Sequence, residues 1–225
     1  VFVLGSALAP TTMPHRPATA LALYFGGTGV GMVLASGAWT GAALALTAEA
    51  SWRWSWVLFG AIALVCGGVA GKAAWRLALP AQAPTFASTA LPLHGVSPHR
   101  LIGPMLVANA LYGAGYVGYT TFVIALLEAR GFDVFAKAIV FGAIGAASLI
   151  ASPFWGPWLE RWRGGRGFAA VNLIMVVALC MALASRTPTV VMVSALLFGA
   201  AFRAGPTAVA ELERPQHQRF LEGGD

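Results

Sequence analysis

The clearest pattern in the chain is a succession of long apolar stretches separated by short polar ones. Six predominantly apolar stretches of 16 to 32 residues contain no Asp, Glu, Lys or Arg. A helix of about 20 residues crosses the roughly 30 Å hydrocarbon core of a bilayer and satisfies its own backbone hydrogen bonds there. The fold predicted is therefore all-α, a polytopic transmembrane helical bundle, with spans near 18–47, 54–79, 103–127, 136–158, 168–185 and 188–210.

The ends and the longest connection suggest how these spans are grouped. The opening VFVLGSALAP is apolar but only half as long as a span, so we expect it to be the end of a further helix. The connection at 80–102 is rich in Pro, Ser and Thr, which is typical of a linker. We therefore expect an earlier group of spans in 1–79 and a later group in 103–225.

Composition and charge agree with a membrane protein. The chain is 58% hydrophobic and 10% charged, with a mean hydropathy of +0.75, whereas a soluble domain has about a quarter charged residues. The net charge of +6 comes from basic residues placed mainly between the apolar stretches. Nine of them fall on one side of the predicted topology and four on the other, and the richer side is expected to be cytoplasmic. Nucleic acid is not an expected partner.

Residues suited to catalysis or metal binding are not grouped in the predicted spans. The four histidines all fall in connections, and no predicted span contains Asp or Glu. Cys66 and Cys180 lie in apolar spans without a second ligand nearby. We therefore expect no enzymatic activity, no catalytic residue, no cofactor and no metal site.

A row of polar and aromatic residues marks one face of the third span. Tyr112, Tyr116 and Tyr119 recur at steps of four and three, and Asn109 extends the row by another step of three. Their polar tips are costly against lipid unless they meet a partner or a water-filled cavity. Lining a cavity is favoured over a purely structural role, and phenol rings suit an aromatic, cationic or amphipathic solute. Weaker candidates for the same site are Trp39, Thr40, Ser148 and Ser152.

Arg203 is a formal charge well inside the last predicted span, whereas Lys72, Arg76 and Lys137 lie near the ends of theirs. Its long side chain could reach the headgroups, or it could attract an anionic solute, and the sequence leaves both interpretations open. Gly205 and Pro206 follow directly and predict a break or kink in the helix. A broken helix beside a charge is typical of a transporter site.

Pairs of glycines four residues apart predict where helices approach each other. They are Gly27 and Gly31, Gly37 and Gly41, and Gly67 and Gly71. Glycines at this spacing share a helix face and permit close contact between backbones.

The string GPWLERWRGGRGF at 156–168 resembles a loop of the major facilitator superfamily of secondary transporters, in its second-half copy. Gly156 matches the first Gly of that pattern, Glu160 its acidic position, Arg161 the next Arg, and Arg166 the basic end. Trp158 stands where the pattern has Leu, and Glu160 where it has Asp. The resemblance implies a loop whose charges control the change of conformation, whereas a plain basic anchoring loop is the alternative.

The order of the spans also resembles an uncharacterised bacterial branch of that superfamily. The resemblance implies an incomplete major-facilitator fold, from the end of helix 4 through helices 5 and 6 in 1–79, and helices 7 to 10 in 103–225. It implies a transporter that moves a small organic solute by alternating access in the bacterial cytoplasmic membrane, with a proton as the candidate coupling ion. The complete protein is expected to be monomeric. A non-transporting membrane scaffold or assembly subunit is the other hypothesis.

Overall fold

Six long helices make up the part of the chain that the structure, a computed structural model, describes. That part comprises residues 15–76, 98–162 and 165–208, together with Ala9 and Met13. The helices are α1 (Pro17–Ala45), α2 (Ala48–Arg76), α3 (Pro98–Ala129), α4 (Val134–Arg161), α5 (Arg166–Ala184) and α6 (Pro188–Phe202). Each lies in a segment long and apolar enough to cross a membrane, which for α6 is Pro188–Ala208. The prediction of an all-α polytopic helical bundle is thus confirmed.

Several helices extend beyond the predicted spans. α2 begins at Ala48 rather than residue 54, with Glu49 in its first turn, where a carboxylate is favoured by the helix dipole. Arg53 therefore lies on a helix and not in a connection. α3 begins at Pro98, inside the predicted linker, since proline is well suited to the first helical turn. The partial helix predicted in residues 1–10 and the linker residues 80–97 fall outside the described residues, apart from Ala9.

The chain divides into two compact units, residues 42–113 and residues 1–41 with 114–225. In the first unit, α2 exposes apolar side chains all round, including Leu64 at 79%. Three exposed tryptophans, Trp52, Trp54 and Trp56, lie close to its N-terminal end. Trp52 and Trp56, four residues apart, share one face and Trp54 points to the opposite one, as expected of an aromatic belt at the membrane surface rather than of a packing face.

In the second unit, α6 packs against both α4 and α5. Phe198 of α6, Ile144 of α4 and Val171 of α5 are completely buried. Gly199 is the point of closest approach, because a Cβ atom there would lie 2.8 Å from the Cα of Ile144. The small residue allows the backbones of α4 and α6 to touch.

A second seam of close contacts runs between α1 and α4. Gly156 packs against Thr19, Gly26 against Ser152, Gly145 against Gly29 and Gly142 against Ser36. The pairs run in opposite directions along the two helices, so α1 and α4 are antiparallel. From Thr19 to Ser36 the seam covers about 25 Å of helix, close to the thickness of the hydrocarbon core. Ser36 closes one end by donating its hydroxyl to the carbonyl of Ala138 (2.5 Å).

The glycine pairs predicted to mediate packing are not the ones that do so here. Among the described residues, a Cβ atom would meet nothing within 4 Å at any of the six positions, which are Gly27, Gly31, Gly37, Gly41, Gly67 and Gly71. The close contacts of α1 are made by Gly26 and Gly29 instead. Glycine spacing identifies a possible face, but the partner helix decides which face is used.

The connection between α3 and α4 is tied to the end of α5. The guanidinium of Arg130 donates to the carbonyls of Ala182 (2.7 Å), Ser185 (2.9 Å) and Leu183 (3.2 Å). These carbonyls lie at the C-terminal end of α5, where a cation is favoured and backbone acceptors lack intrahelical partners. The end of α3 is thereby fixed beside the end of α5.

Candidate functional site

The predicted tyrosine face of α3 meets an aromatic face of α6. Tyr119 stacks on Phe198, with ring centroids 3.9 Å apart, and Phe198 stacks on Phe202 at 5.3 Å. Tyr116 lies 6.3 Å from Phe202 in a tilted arrangement. From the Tyr119–Phe198 contact to the Tyr116–Phe202 contact, the residue numbers fall along α3 and rise along α6, so the two helices are antiparallel. The four rings form one aromatic cluster near the middle of both spans.

Tyr119 holds three helices together. Its hydroxyl is 2.9 Å from Oγ of the fully buried Ser194, and Ser194 donates its own hydrogen to the carbonyl of Ala178 at 2.7 Å. Because Ser194 has only one hydrogen to donate, Tyr119 must be the donor in their mutual bond. This relay joins α3, α6 and α5, so the Tyr119 hydroxyl holds helices in position.

We expect Tyr119→Phe to lower stability while leaving the ring stacking intact. Hydrogen bonds between membrane helices contribute about 0.6 kcal/mol on average, and we expect a loss of about that size or slightly more. Thermal unfolding of the purified full-length protein measures it. Tyr116→Phe is the matched control, and a larger loss of stability in that control would contradict the assignment.

Arg203 lies at the break in the last span. α6 ends at Phe202, Arg203 forms a turn, and residues 204–208 are helical again. Pro206 explains the position, since it has no N–H to donate to Phe202 and its ring crowds that carbonyl. The break predicted from Gly205 and Pro206 is therefore present. The guanidinium carbon of Arg203 lies 4.5 Å from the centre of the Phe202 ring, a cation–π arrangement.

A hydrogen bond from α4 supports the end of α6 next to the break. Trp155 donates its indole N–H to the carbonyl of Ala200, in the last turn of α6. Further along the same helix, Ser148 and Ser152 are buried, with 2% and 5% of their surface exposed. Ser152 donates to the carbonyl of Ser148 at 2.7 Å. Ser148, seven residues before Trp155, shares its face of α4, whereas Ser152 belongs to the seam with α1.

The remaining candidates for solute binding are dispersed. Tyr112 is buried, at 6% exposure, whereas Asn109 is exposed. Trp39 is 39% exposed on α1, and Thr40 next to it donates to the carbonyl of Ser36 within its own helix.

The gating loop predicted at 156–168 is mostly helical. Gly156, Glu160 and Arg161 belong to the last turns of α4, and Arg166 is the first residue of α5, so the connection is 162–165. Glu160 thus lies on a helix, beside the C-terminus of α4, and not in a loop. Packing explains the extension: Gly156 contacts Thr19, and Leu159 is buried. Exposed Arg161, in the last turn, is favourably placed for the helix dipole.

Sequence reasoning missed the α6 half of the cluster. Its members are Ser194, Phe198 and Phe202, which recur at steps of four and therefore share one face. That periodicity could have been matched with the tyrosine face of α3. Phenylalanines in an apolar span are, however, equally typical of a surface that faces lipid, so the pattern alone does not select the pairing.

A groove of about 160 Å³ lies between α3 and α5 beside Tyr119. Apart from the Tyr119 ring its lining is Gly118, Phe122, Val123, Leu126, Leu179, Ala182 and Leu183. The Tyr119 hydroxyl already donates to Ser194. The groove thus offers apolar area and no polar group to orient a solute, unlike the region around Arg203.

A comparison with protein families decides the identity. The family model described as "Uncharacterised MFS-type transporter YbfB" matches residues 1–219 of the 225. The chain belongs to this family of the major facilitator superfamily. No curated protein and no solved structure gives a match.

Family membership confirms the resemblance drawn from the 156–168 string and the order of the spans. The major-facilitator chain is a multi-pass membrane protein, with six described helices long enough to cross the bilayer. Its family consists of membrane transporters and not of enzymes. Its environment is lipid, and its substrates are small molecules.

Proposed function

We propose that the protein is a secondary transporter that moves a small organic solute across the bacterial cytoplasmic membrane by alternating access. Membership of a transporter family supports the proposal that the protein transports a solute. In alternating access, one group of helices rocks against another around a site near the midplane of the bilayer. The seam between α1 and α4 supports the proposal of alternating access.

The α1–α4 seam is well suited to opening and closing. In the topology expected from the sequence, α1 belongs to the first half of the transporter and α4 to the second. Contacts such as Gly145 against Gly29 are made by backbone atoms and short side chains. The seam is a row of small residues flanked by the Cβ atoms of Met32 and Leu149, and such a row lets one end separate with little repacking.

The solute site is proposed at Tyr116, beside Phe202 and Arg203. Tyr116 lies near the middle of its span, Leu106–Ala129. It is only partly buried and offers both a ring and a hydroxyl, while Arg203 adds a positive charge. Asn109 and Tyr112 continue the same face of α3 and stay predictions from the sequence.

Replacing Tyr116 tests the site. In proteoliposomes that contain the full-length protein, Tyr116→Ala should weaken apparent solute affinity by about tenfold or more, because ring contact and hydroxyl are both lost. Tyr116→Phe keeps the ring and should have a smaller effect. Phe122→Ala is the matched control, since Phe122 lies on α3 with 67% of its surface exposed.

Two results would contradict these proposals separately. Unchanged uptake kinetics in both Tyr116 variants would place the site elsewhere. If the wild-type protein moves no solute, while cysteines at 112, 116 and 119 never react with water-soluble thiol reagents, the chain is a membrane scaffold instead.

A further inference from the structure

The apolar groove between α3 and α5 has buried residues at its floor and exposed ones at its rims. Val123 and Ala182 of the floor are buried, whereas Phe122 on one rim and Leu183 on the other are 67% and 68% exposed. Gly118 has no side chain and Ala182 only a methyl group, and the depression of about 160 Å³ remains between the rims for that reason. In a membrane-spanning segment, such exposed apolar rims suit contact with lipid chains.

The groove is as long as one leaflet of the bilayer. Its lining on α3 runs from Gly118 to Leu126, within the span Leu106–Ala129. Gly118 lies at the middle of that span, and Ala129 ends it roughly 16 Å further along the helix, which is about half of the 30 Å hydrocarbon core. An apolar chain that enters at the membrane surface would therefore reach the midplane along this groove.

A positive charge lies at the surface end of the groove. Arg130 lies about one turn beyond Leu126, and its guanidinium donates to the carbonyls of Ala182 and Leu183, both of which line the groove. With the bond to Ser185, these contacts use at most three of its five N–H groups. The other two have no hydrogen-bond partner in the described part of the chain.

A second cation follows directly at the end of α5. Arg186 comes after Ser185, whose carbonyl accepts from Arg130 at 2.9 Å, so the two basic residues meet at the same end of the groove. Arg186 is exposed, and none of the described acidic residues forms an ion pair with it. Two neighbouring guanidinium groups at a membrane surface suit a phosphate, which can accept hydrogen bonds from both.

The acidic residues of the α3–α4 connection are engaged elsewhere. Glu128 forms an ion pair with Lys137 at 3.6 Å. Asp133 accepts from the backbone N–H of Ala136 at 2.7 Å and so caps the start of α4. Neither carboxylate contacts a guanidinium in the described part of the chain, so the positive charge at the groove remains available to an anion from outside the protein.

We propose that the α3–α5 groove binds one acyl chain of an anionic phospholipid, with the lipid phosphate held by Arg130 and Arg186. An apolar body as long as one leaflet, with a negative charge at its surface end, is the chemistry that this combination fits. In the topology expected from the sequence, the leaflet concerned faces away from the cytoplasm. The inference goes beyond the transport function and does not depend on it.

Lipid titration of the purified protein tests the proposal. The full-length protein is delipidated in detergent, and its thermal unfolding is followed with increasing dioleoyl phosphatidylglycerol. Because the bound chain contacts both α3 and α5, this lipid should raise the unfolding temperature in a saturable way. Dioleoyl phosphatidylcholine, which has no net charge, should bind about fivefold more weakly. Dihexanoyl phosphatidylglycerol keeps the charge but buries fewer CH₂ groups, so it should bind about tenfold more weakly or less.

Filling the groove tests where the chain binds. A Cβ atom at Gly118 meets nothing within 4 Å, so Gly118→Leu places its side chain in the groove without a clash at the backbone. Its apparent affinity for dioleoyl phosphatidylglycerol should fall about tenfold. Gly113→Leu is the matched control, because Gly113 is equally open on the same helix but does not line the groove.

Removing a charge tests the headgroup contact. Arg186→Gln should weaken binding of dioleoyl phosphatidylglycerol about fivefold. Arg130 is left unchanged, because it also fixes the end of α5. Arg16→Gln is the matched control: Arg16 is exposed at the start of α1, which runs parallel to α3 since both are antiparallel to α4, and so it lies at the opposite end of the bundle.

Three outcomes overturn the inference. If Gly118→Leu binds dioleoyl phosphatidylglycerol as tightly as the wild type, the chain binds elsewhere. If the two dioleoyl lipids bind equally and Arg186→Gln changes nothing, the two arginines hold no headgroup. If no lipid stabilises the wild type in a saturable way, another segment of the full-length chain fills the groove. Solute uptake by the wild-type protein in any of these cases would leave the transport function standing.

Discussion

A disulfide between positions 36 and 142 is expected to stop transport completely and reversibly. A Cβ atom at Gly142 would lie 3.5 Å from the Cβ of Ser36, and disulfides join Cβ atoms about 3.5–4.5 Å apart. The bond would lock one end of the α1–α4 seam. If transport requires that end to open, Ser36→Cys with Gly142→Cys should lose uptake after oxidation and regain it after reduction.

Both native cysteines, Cys66 and Cys180, are free and exposed, so they are first replaced by alanine. Each single-cysteine variant, oxidised in the same way, is the control and should transport normally. Solute binding to the locked protein, measured by thermal stabilisation, should persist from the side that remains open. Full transport after quantitative cross-linking would show that this end of the seam does not move.

Gly199→Ala is expected to be the most destabilising of the single substitutions considered. The new Cβ would meet the Cα of Ile144 at 2.8 Å and its carbonyl carbon at 2.9 Å. These are backbone atoms, so α4 and α6 must separate. Overpacking costs about 1–3 kcal/mol, and we expect the upper part of that range and a fall of roughly 5–10 °C in the unfolding temperature.

Gly115→Ala provides the matched control on α3. A Cβ there meets nothing within 4 Å, and alanine is about 1 kcal/mol better than glycine within a helix. This variant should be unchanged or more stable. An unfolding temperature of Gly199→Ala equal to that of the wild type would contradict the close contact between α4 and α6.

The break beside Arg203 and the aromatic cluster differ in how far the sequence could predict them. Pro206 removes a hydrogen bond within its own helix, so its effect is local and can be anticipated from neighbouring residues. The roles of Tyr116 and Tyr119 depend on α6, which lies about 80 residues further along the chain. Their spacing identified a shared face, but only the packing separates buried Tyr119, bonded to Ser194, from Tyr116.

The boundary errors have a related cause. The predicted spans began at Trp54 and ended at Trp158, next to charged residues. In the structure the helices continue, because backbone hydrogen bonds within a helix remain favourable beyond the hydrocarbon core and packing, such as that of Gly156 on Thr19, adds to them.

By itself, the sequence determined the number of long spans in the described ranges, the all-α class and the transporter family. The cost of charge and of unpaired backbone groups in hydrocarbon is a property of each segment alone, so it can be evaluated without knowing the neighbours. Only the tertiary structure decided that Gly29 rather than Gly31 makes the close contact, and that the Ser148 and Thr207 hydroxyls are buried with no hydrogen-bond partner in the described part of the chain. Such properties depend on which helix faces which, and in lipid that choice follows from close fit and hydrogen bonding rather than from hydrophobicity.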